Sequence, residues 1–297
     1  MKFDVQGYYD RNTARFLRYG QGGAAGIIHR AVWAPGVEGR EEALQYVNRR
    51  VAERAAATGA VRSLDAGCGV GATMRELLER GAGERATPGV TGVTISPVQA
   101  RAARAFLART AGDRSSGSTW NIRIGDFCDR PFMRSLADAG PFDLVYFIES
   151  FIHAPCGEAL LEIVAEILRP GGRLIICDDV LTTPSEAEQR EEARDRKQAR
   201  RFIREYREGW HVANLRSIQE ITAMAEGAGF SAPTWEDLTP YLELGRPRDV
   251  AIRALVPLLR LLPLPFAWRD NFIGGNAIQE CLRRGVIGYA FLEFTRR

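Results

Sequence analysis

Apolar positions in this chain follow two rhythms. Short apolar runs stand at residues 61–65, 90–95, 121–124, 143–148 and 173–177, and each predicts a strand. Between them lie stretches of helical spacing. Residues 158–168 carry Leu160, Leu161, Val164, Ile167 and Leu168 on one stripe, and Pro170-Gly171-Gly172 breaks the chain before the fifth run. Upstream, residues 41–57 predict a helix with Leu44, Val47 and Val51 on its inner face. Strand–helix alternation of this kind predicts an α/β fold with a parallel sheet, right-handed crossovers and ligands at the carboxyl ends of the strands.

After residue 177 the rhythm changes. Ser185-Glu186-Ala187-Glu188 is a capping-box pattern opening a charged helix to about residue 208, and Ser217-Ile218-Gln219-Glu220 repeats the signal. A sixth strand is expected near 235–238 and a last one at 287–294. Residues 241–286 read as an insertion between them. Its stretch 250–262 is apolar nearly all round, interrupted only by Arg253 and Arg260, so it is buried or faces a lipid or a partner. Gly274-Gly275-Asn276-Ala277 is expected to start another helix. The resulting plan is an N-terminal helical cover, 1–57, and a main domain, 58–297, with insertions at about 183–215 and 241–286.

Composition narrows the class. The 297 residues, 45% apolar and 26% charged, suit one large globular domain or two small ones. A net charge of +3 is too small to indicate nucleic acid as a partner. The five cysteines have no metal-ligand spacing and read as reduced, buried thiols. Residues 1–6 lack the apolar run of a signal peptide, and no uncharged apolar run reaches the ~18 residues of a membrane span. The expected location is the cytoplasm, with transient membrane contact and homo-oligomerisation left open.

The stretch Leu64-Asp65-Ala66-Gly67-Cys68-Gly69-Val70-Gly71 carries the chemistry. A strand runs through glycines into a helix, which lets a ligand approach the main chain and meet a helix N-terminus. The acid two residues before the first glycine separates the pattern from the nicotinamide fingerprint. On this motif the chain resembles the S-adenosylmethionine-dependent methyltransferases of the seven-stranded, Rossmann-like class. The resemblance implies a mostly parallel sheet of order 3-2-1-4-5-7-6 with helices on both faces.

It also implies a cofactor site: Asp65 at the methionine end, with Gly67, Cys68, Gly69 and Gly71 beside it. Gly92 to Ala100 resembles the turn of tocopherol, sterol and cyclopropane-fatty-acid methyltransferases, where neutral groups hold the ribose, so Thr94, Ser96 and Gln99 are candidates. Ser96 also reads as a helix N-cap, and both roles can hold together. Gly125-Asp126-Phe127 matches the family's adenine contact, and Ile148 completes the set. The bland readings are a tight turn and a capping loop acid.

The segment Phe147 to Pro155 resembles sterol and prenyl diphosphate C-methyltransferases. It makes Glu149 the candidate base near the sulfonium, in apolar surroundings. His153 is the alternative base, or a hydrogen-bonded helix-start histidine, and His211 is a third candidate. Tyr8, Tyr9, Tyr19, His29, Trp33 and Phe151 are candidate substrate contacts, or simply packing. Arginines of the charged helix either reach a diphosphate or form a solvated face. Magnesium is expected only with a diphosphate, and no metal cluster is apparent. The implied function is methylation of an alkene carbon of an isoprenoid in specialised metabolism, with cyclisation open. O- or N-methylation of a lipophilic small molecule and non-catalytic cofactor binding are the alternatives.

Overall fold

The computed structural model describes residues 4–19, 26–81, 89–111, 119–182, 193–261 and 267–297. Two helices come first, α1 (Val5–Tyr19) and α2 (Arg40–Ala57), joined by a strap around residues 26–39. Then strands and helices alternate: β1 (Arg62–Ala66), α3 (Ala72–Gly81), β2 (Gly89–Thr94), α4 (Pro97–Ala111), β3 (Thr119–Ile124), α5 (Arg130–Leu136), β4 (Phe142–Ile148), α6 (Gly157–Ile167) and β5 (Leu168–Leu181). The chain closes with α7 (Ala193–Trp210), α8 (Ile218–Gly227), β6 (Thr234–Asp237), α9 (Pro247–Leu261), α10 (Ala267–Arg283) and β7 (Ile287–Thr295).

The strands form one sheet in the order β3-β2-β1-β4-β5-β7-β6, as the resemblance implies. β7 pairs antiparallel with β5 and β6, and the other pairs are parallel. Alternate strand residues feed two cores, as the two-residue repeat of a strand demands. Leu64, Val145, Phe147, Leu174 and Ile176 pack with α5, α6 and α8 on one face. Leu144, Tyr146, Ile175 and Cys177 pack with α2, α3 and α4 on the other. Strand direction reverses its growth at β1, which has β2 on one side and β4 on the other, and the site opens above that switch.

Three local expectations change. β5 already begins at Leu168, so the break at Pro170-Gly171-Gly172 falls inside the strand as an irregularity: Gly171 has φ +74°, and pairing with β4 jumps from Leu168 to Arg173. Gly274 and Gly275 lie inside α10. A Cβ on Gly209 of α7 would stand 2.8 Å from the Cα of Gly274, so these glycines are a close helix crossing and no helix start. Cys156 is exposed and Cys128 half-buried, because both sit on loops outside the cores. The capping pattern at 185–188 lies outside the described residues, whereas the one at Ser217 is present on both sides, Ser217 with Glu220.

Candidate active site

β1 runs into the turn 67–71, whose three glycines all have positive φ: Gly67 +107°, Gly69 +52° and Gly71 +88°. Side chains are also excluded by space. A Cβ on Gly67 would lie 2.4 Å from that of Ser150. Ser150 donates to the carbonyl of Ala66 at 2.7 Å, which fastens the loop after β4 to the end of β1. Bare backbone at Gly67 and Gly69 therefore faces the cavity.

Asp65 lines the same cavity while its residue is almost wholly buried. Burial pushes its carboxyl up to about 8, and the neighbouring Tyr146 hydroxyl pulls only partly back. A buried acid without a cation is the partner that an ammonium group would satisfy. Together with the glycine cradle it fits the amino-acid end of S-adenosylmethionine.

After β2, Thr94 donates to Gln99 Oε1 at 2.7 Å, and both line the cavity. Ser96 does not line it. Its hydroxyl accepts from Gln99 N at 3.1 Å as the α4 cap and donates to Asp10 of α1 at 2.5 Å. Asp126 and Phe127 line the cavity. Asp126 Oδ1 accepts from Cys128 N, and Phe127 stands edge-on to Phe147 at 5.6 Å. Gly125 and Gly71 lie behind the wall. A Cβ on Gly125 would strike the ring of Phe132 at 2.4 Å.

Glu149 follows β4 at φ +49°, a left-handed conformation that costs a non-glycine residue roughly 1–3 kcal/mol. The turn holds because Glu149 N donates to Cys177 O at 2.9 Å. Its Oε1 accepts from Arg30 N at 3.0 Å, and the Arg30 guanidinium stands 3.8 Å away. Arg30 grips Asp179 of β5 with both terminal nitrogens, at 2.6 and 2.9 Å, and stacks over Tyr289. Burial works against the Arg30 charge, but Asp179 and Glu149 more than offset it and raise its pKa. Tyr206 of α7 donates to Asp179 Oδ2, the oxygen that also accepts from Arg30 Nη2. Asp178 is pushed well above the carboxylate range, first by burial and then by Asp179. Glu149 thus sits in a charged network, not the apolar surroundings its sequence neighbours suggest. Phe147 and Phe151 turn into the core instead.

His153 Nδ1 lies 3.1 Å from the His211 carbonyl, so that nitrogen carries the hydrogen. Nε2 is left to accept from the Tyr9 hydroxyl at 2.8 Å. Burial lowers the ring to about 4, so it is neutral. His29 Nε2 meets Asn48 Oδ1 at 2.9 Å, which Thr73 also reaches, tying the strap to α2 and α3.

Tyr8, Tyr9, His29, Glu149, His153, Cys68 and Ile148 line the cavity with the cofactor candidates. Trp33 and Phe151 do not; Trp33 packs beside Ile27 and Leu44. The side chain of Tyr19 lies outside the described residues. Sequence reading missed Arg30, Asp178, Asp179, Tyr206 and Asp10. The acid pair was findable, since it stands toward the carboxyl end of the fifth strand, where ligands bind. Nothing in the sequence pairs Arg30 with it. Among the described residues no group of three His, Cys, Asp or Glu could hold a metal.

The cavity measures about 1720 Å³. That exceeds the roughly 300–1,000 Å³ of a site for one drug-sized ligand and leaves room for a cofactor and a second molecule. The family described as methyltransferase domain matches residues 5–232. The 24-methylenesterol C-methyltransferase 3 of Arabidopsis thaliana is 30% identical over 175 residues, 59% of this chain and 43% of that protein. The O-methyltransferase resE of Aspergillus sclerotiorum is 31% identical over 179 residues, 59% of this chain and 60% of that protein. The chain thus spans about half the length of these relatives.

Two solved structures share the fold at low identity. The cyclopropane synthase MmaA2 from Mycobacterium tuberculosis has a TM-score of 0.69 at 17% identity, covering 99% of this chain and 97% of that one. A geranyl diphosphate methyltransferase in complex with GPP and sinefungin has a TM-score of 0.62 at 20% identity, covering 99% and 98%. With this cradle, this sheet and this match over most of its length, the chain belongs to the methyltransferase domain family, in its S-adenosylmethionine-dependent class.

Proposed function

We propose that the chain methylates an alkene carbon of an isoprenoid small molecule. The observation that carries this reading is the placement of Glu149. A carboxylate stands at the cavity wall, aimed by a strained turn and by Arg30, while both ring nitrogens of His153 are already engaged. S-adenosylmethionine supplies an electrophilic methyl group when bound. The cradle and Asp65 hold its amino-acid end, and the wall excludes water. Attack by the π electrons of the substrate leaves a cation on the substrate carbon. Tyr8 and Tyr9 bring aromatic rings to the wall that would surround it, and Glu149 takes the proton whose loss restores a double bond.

The similarity to a sterol C-methyltransferase supports this class, and so does a fold shared with an enzyme that binds GPP. Arg200 and Arg204 also line the cavity, with no ion-pair partner among the described residues. They suit an anionic substrate end such as a diphosphate, which would bring its own magnesium.

The test is incubation with methyl-deuterated S-adenosylmethionine and prenyl diphosphates, prenylated aromatics and sterol-like lipids, with phenols and amines as contrast. Label on a substrate carbon, lost in Glu149→Gln, supports the reading. Label only on oxygen or nitrogen sinks it. A second reading, O-methylation, rests on the Tyr9–His153 bond. A substrate hydroxyl displacing Tyr9 would meet a neutral imidazole nitrogen able to take its proton.

A further inference from the structure

α9 has two faces. Val256 and Leu259 are buried against Ile273 of α10, and Arg248, Asp249 and Ile252 line the cavity. The other face is Val250, Ala251, Ala254, Leu255, Pro257, Leu258 and Leu261, all exposed. Leu255, Leu258 and Leu261 are 55%, 58% and 79% accessible. At 3.6 residues per turn these seven positions fall within an arc of about 160°. An ordinary surface helix carries charge there. Here the charged residues exposed along α9 are Arg248 and Arg253, and the acids near them are little exposed: Asp249, buried against Arg246, and Glu280 of α10, 3.7 Å from Arg253.

We propose that α9 is an interfacial helix whose apolar arc inserts into an anionic lipid surface. The charge pattern selects the occupant: apolar side chains and arginines with no exposed acid match a bilayer with negative headgroups. The arginine stems are long enough to reach the headgroups from the edges of the arc. Area argues against a second copy of the chain. The large exposed side chains offer about 400 Å², about half of the ~800 Å² per partner of a specific interface. α9 cannot span a bilayer, and no helix among the described residues is long and apolar enough to do so. Lying in the surface plane, it would set the cavity directly beneath the lipid, with its inner face as the cavity wall. This holds whichever atom is methylated.

The test is co-sedimentation of the full chain with vesicles of phosphatidylcholine, with and without phosphatidylglycerol. The chain should sediment with the anionic vesicles. Leu255→Asp/Leu258→Asp should lower that partitioning more than about tenfold, with an unchanged far-ultraviolet circular dichroism spectrum and S-adenosylhomocysteine affinity. Leu261→Ser, a milder change at the most exposed leucine, should weaken it in the same direction. Arg248→Gln/Arg253→Gln should remove the preference for phosphatidylglycerol. A chain that stays in the supernatant with both vesicles overturns the proposal, as does a double-aspartate variant that sediments like the parent. A dimer in light scattering that Leu255→Asp/Leu258→Asp dissociates, without vesicle binding, assigns the face to a second copy and equally overturns it.

Discussion

Replacing Arg30 with methionine keeps most of the side-chain volume and removes the guanidinium that faces Asp179 and Glu149. The Asp179 side chain is only 1% accessible, so water cannot take over. Removing one partner of a buried pair costs about 3–5 kcal/mol, because the remaining charge is stranded. Arg30→Met should therefore destabilise by that amount in urea unfolding at neutral pH. Asp179→Asn added to it removes the stranded charge and should recover about 2–3 kcal/mol; that recovery plus the cost of Asp179→Asn alone is the coupling in a double-mutant cycle. Coupling below about 0.5 kcal/mol would refute the network, since residues without contact add within that margin.

Three further outcomes follow from the site. Asp65 is raised to about 8, so below that pH an ammonium ligand must displace its proton. S-adenosylhomocysteine affinity by calorimetry should rise up to about tenfold per pH unit toward pH 8 and stop rising where the ligand's own α-amino group loses its proton, at roughly pH 8, and Asp65→Asn should lack the rise below pH 8. His153 is lowered from 6.5 to about 4, so the unfolded chain takes up a proton that the folded ring refuses. Stability should fall as pH drops from 6.5 to 4 by about 3 kcal/mol, a loss absent in His153→Gln and read by denaturant midpoints across pH. Gly209→Ala places a Cβ 2.5 Å from the Asp270 carbonyl and should cost about 1–3 kcal/mol in thermal unfolding, whereas Gly227→Ala, in open space, should not.

The fold was legible because its signal is local and repeated. Strand–turn–helix at 64–72 and buried runs at 90–95 and 143–148 each carry their own pattern. Part of the cavity lining was legible for the same reason: Asp65, Gly67, Gly69, Thr94, Asp126 and Phe127 stand at or just past strand ends, and Gln99 in the first turn of α4. What stayed hidden depends on contacts distant in sequence. Arg30 meets Asp179 across 149 positions, and Tyr9 meets His153 across 144. A glycine pair reads as a helix start until another helix is seen pressed against it. The left-handed turn of Glu149 has no sequence mark, because glutamate rarely adopts it.

Helix α1 is fastened at three separate places: Asp10 on Ser96, behind the cavity wall, and Tyr9 on His153 and Asn12 on Asn271 of α10, at the wall itself. Each is a polar contact to a different element, so the part of the cavity wall that α1 supplies through Tyr8, Tyr9 and Asn12 is pinned by side-chain hydrogen bonds. A small substrate and a spent cofactor would share the chamber behind it. Turnover then becomes a matter of traffic. Contacts that shut water out of the proposed reaction would also detain its products, and the rate at which they break would set a ceiling on how often the chamber can be refilled.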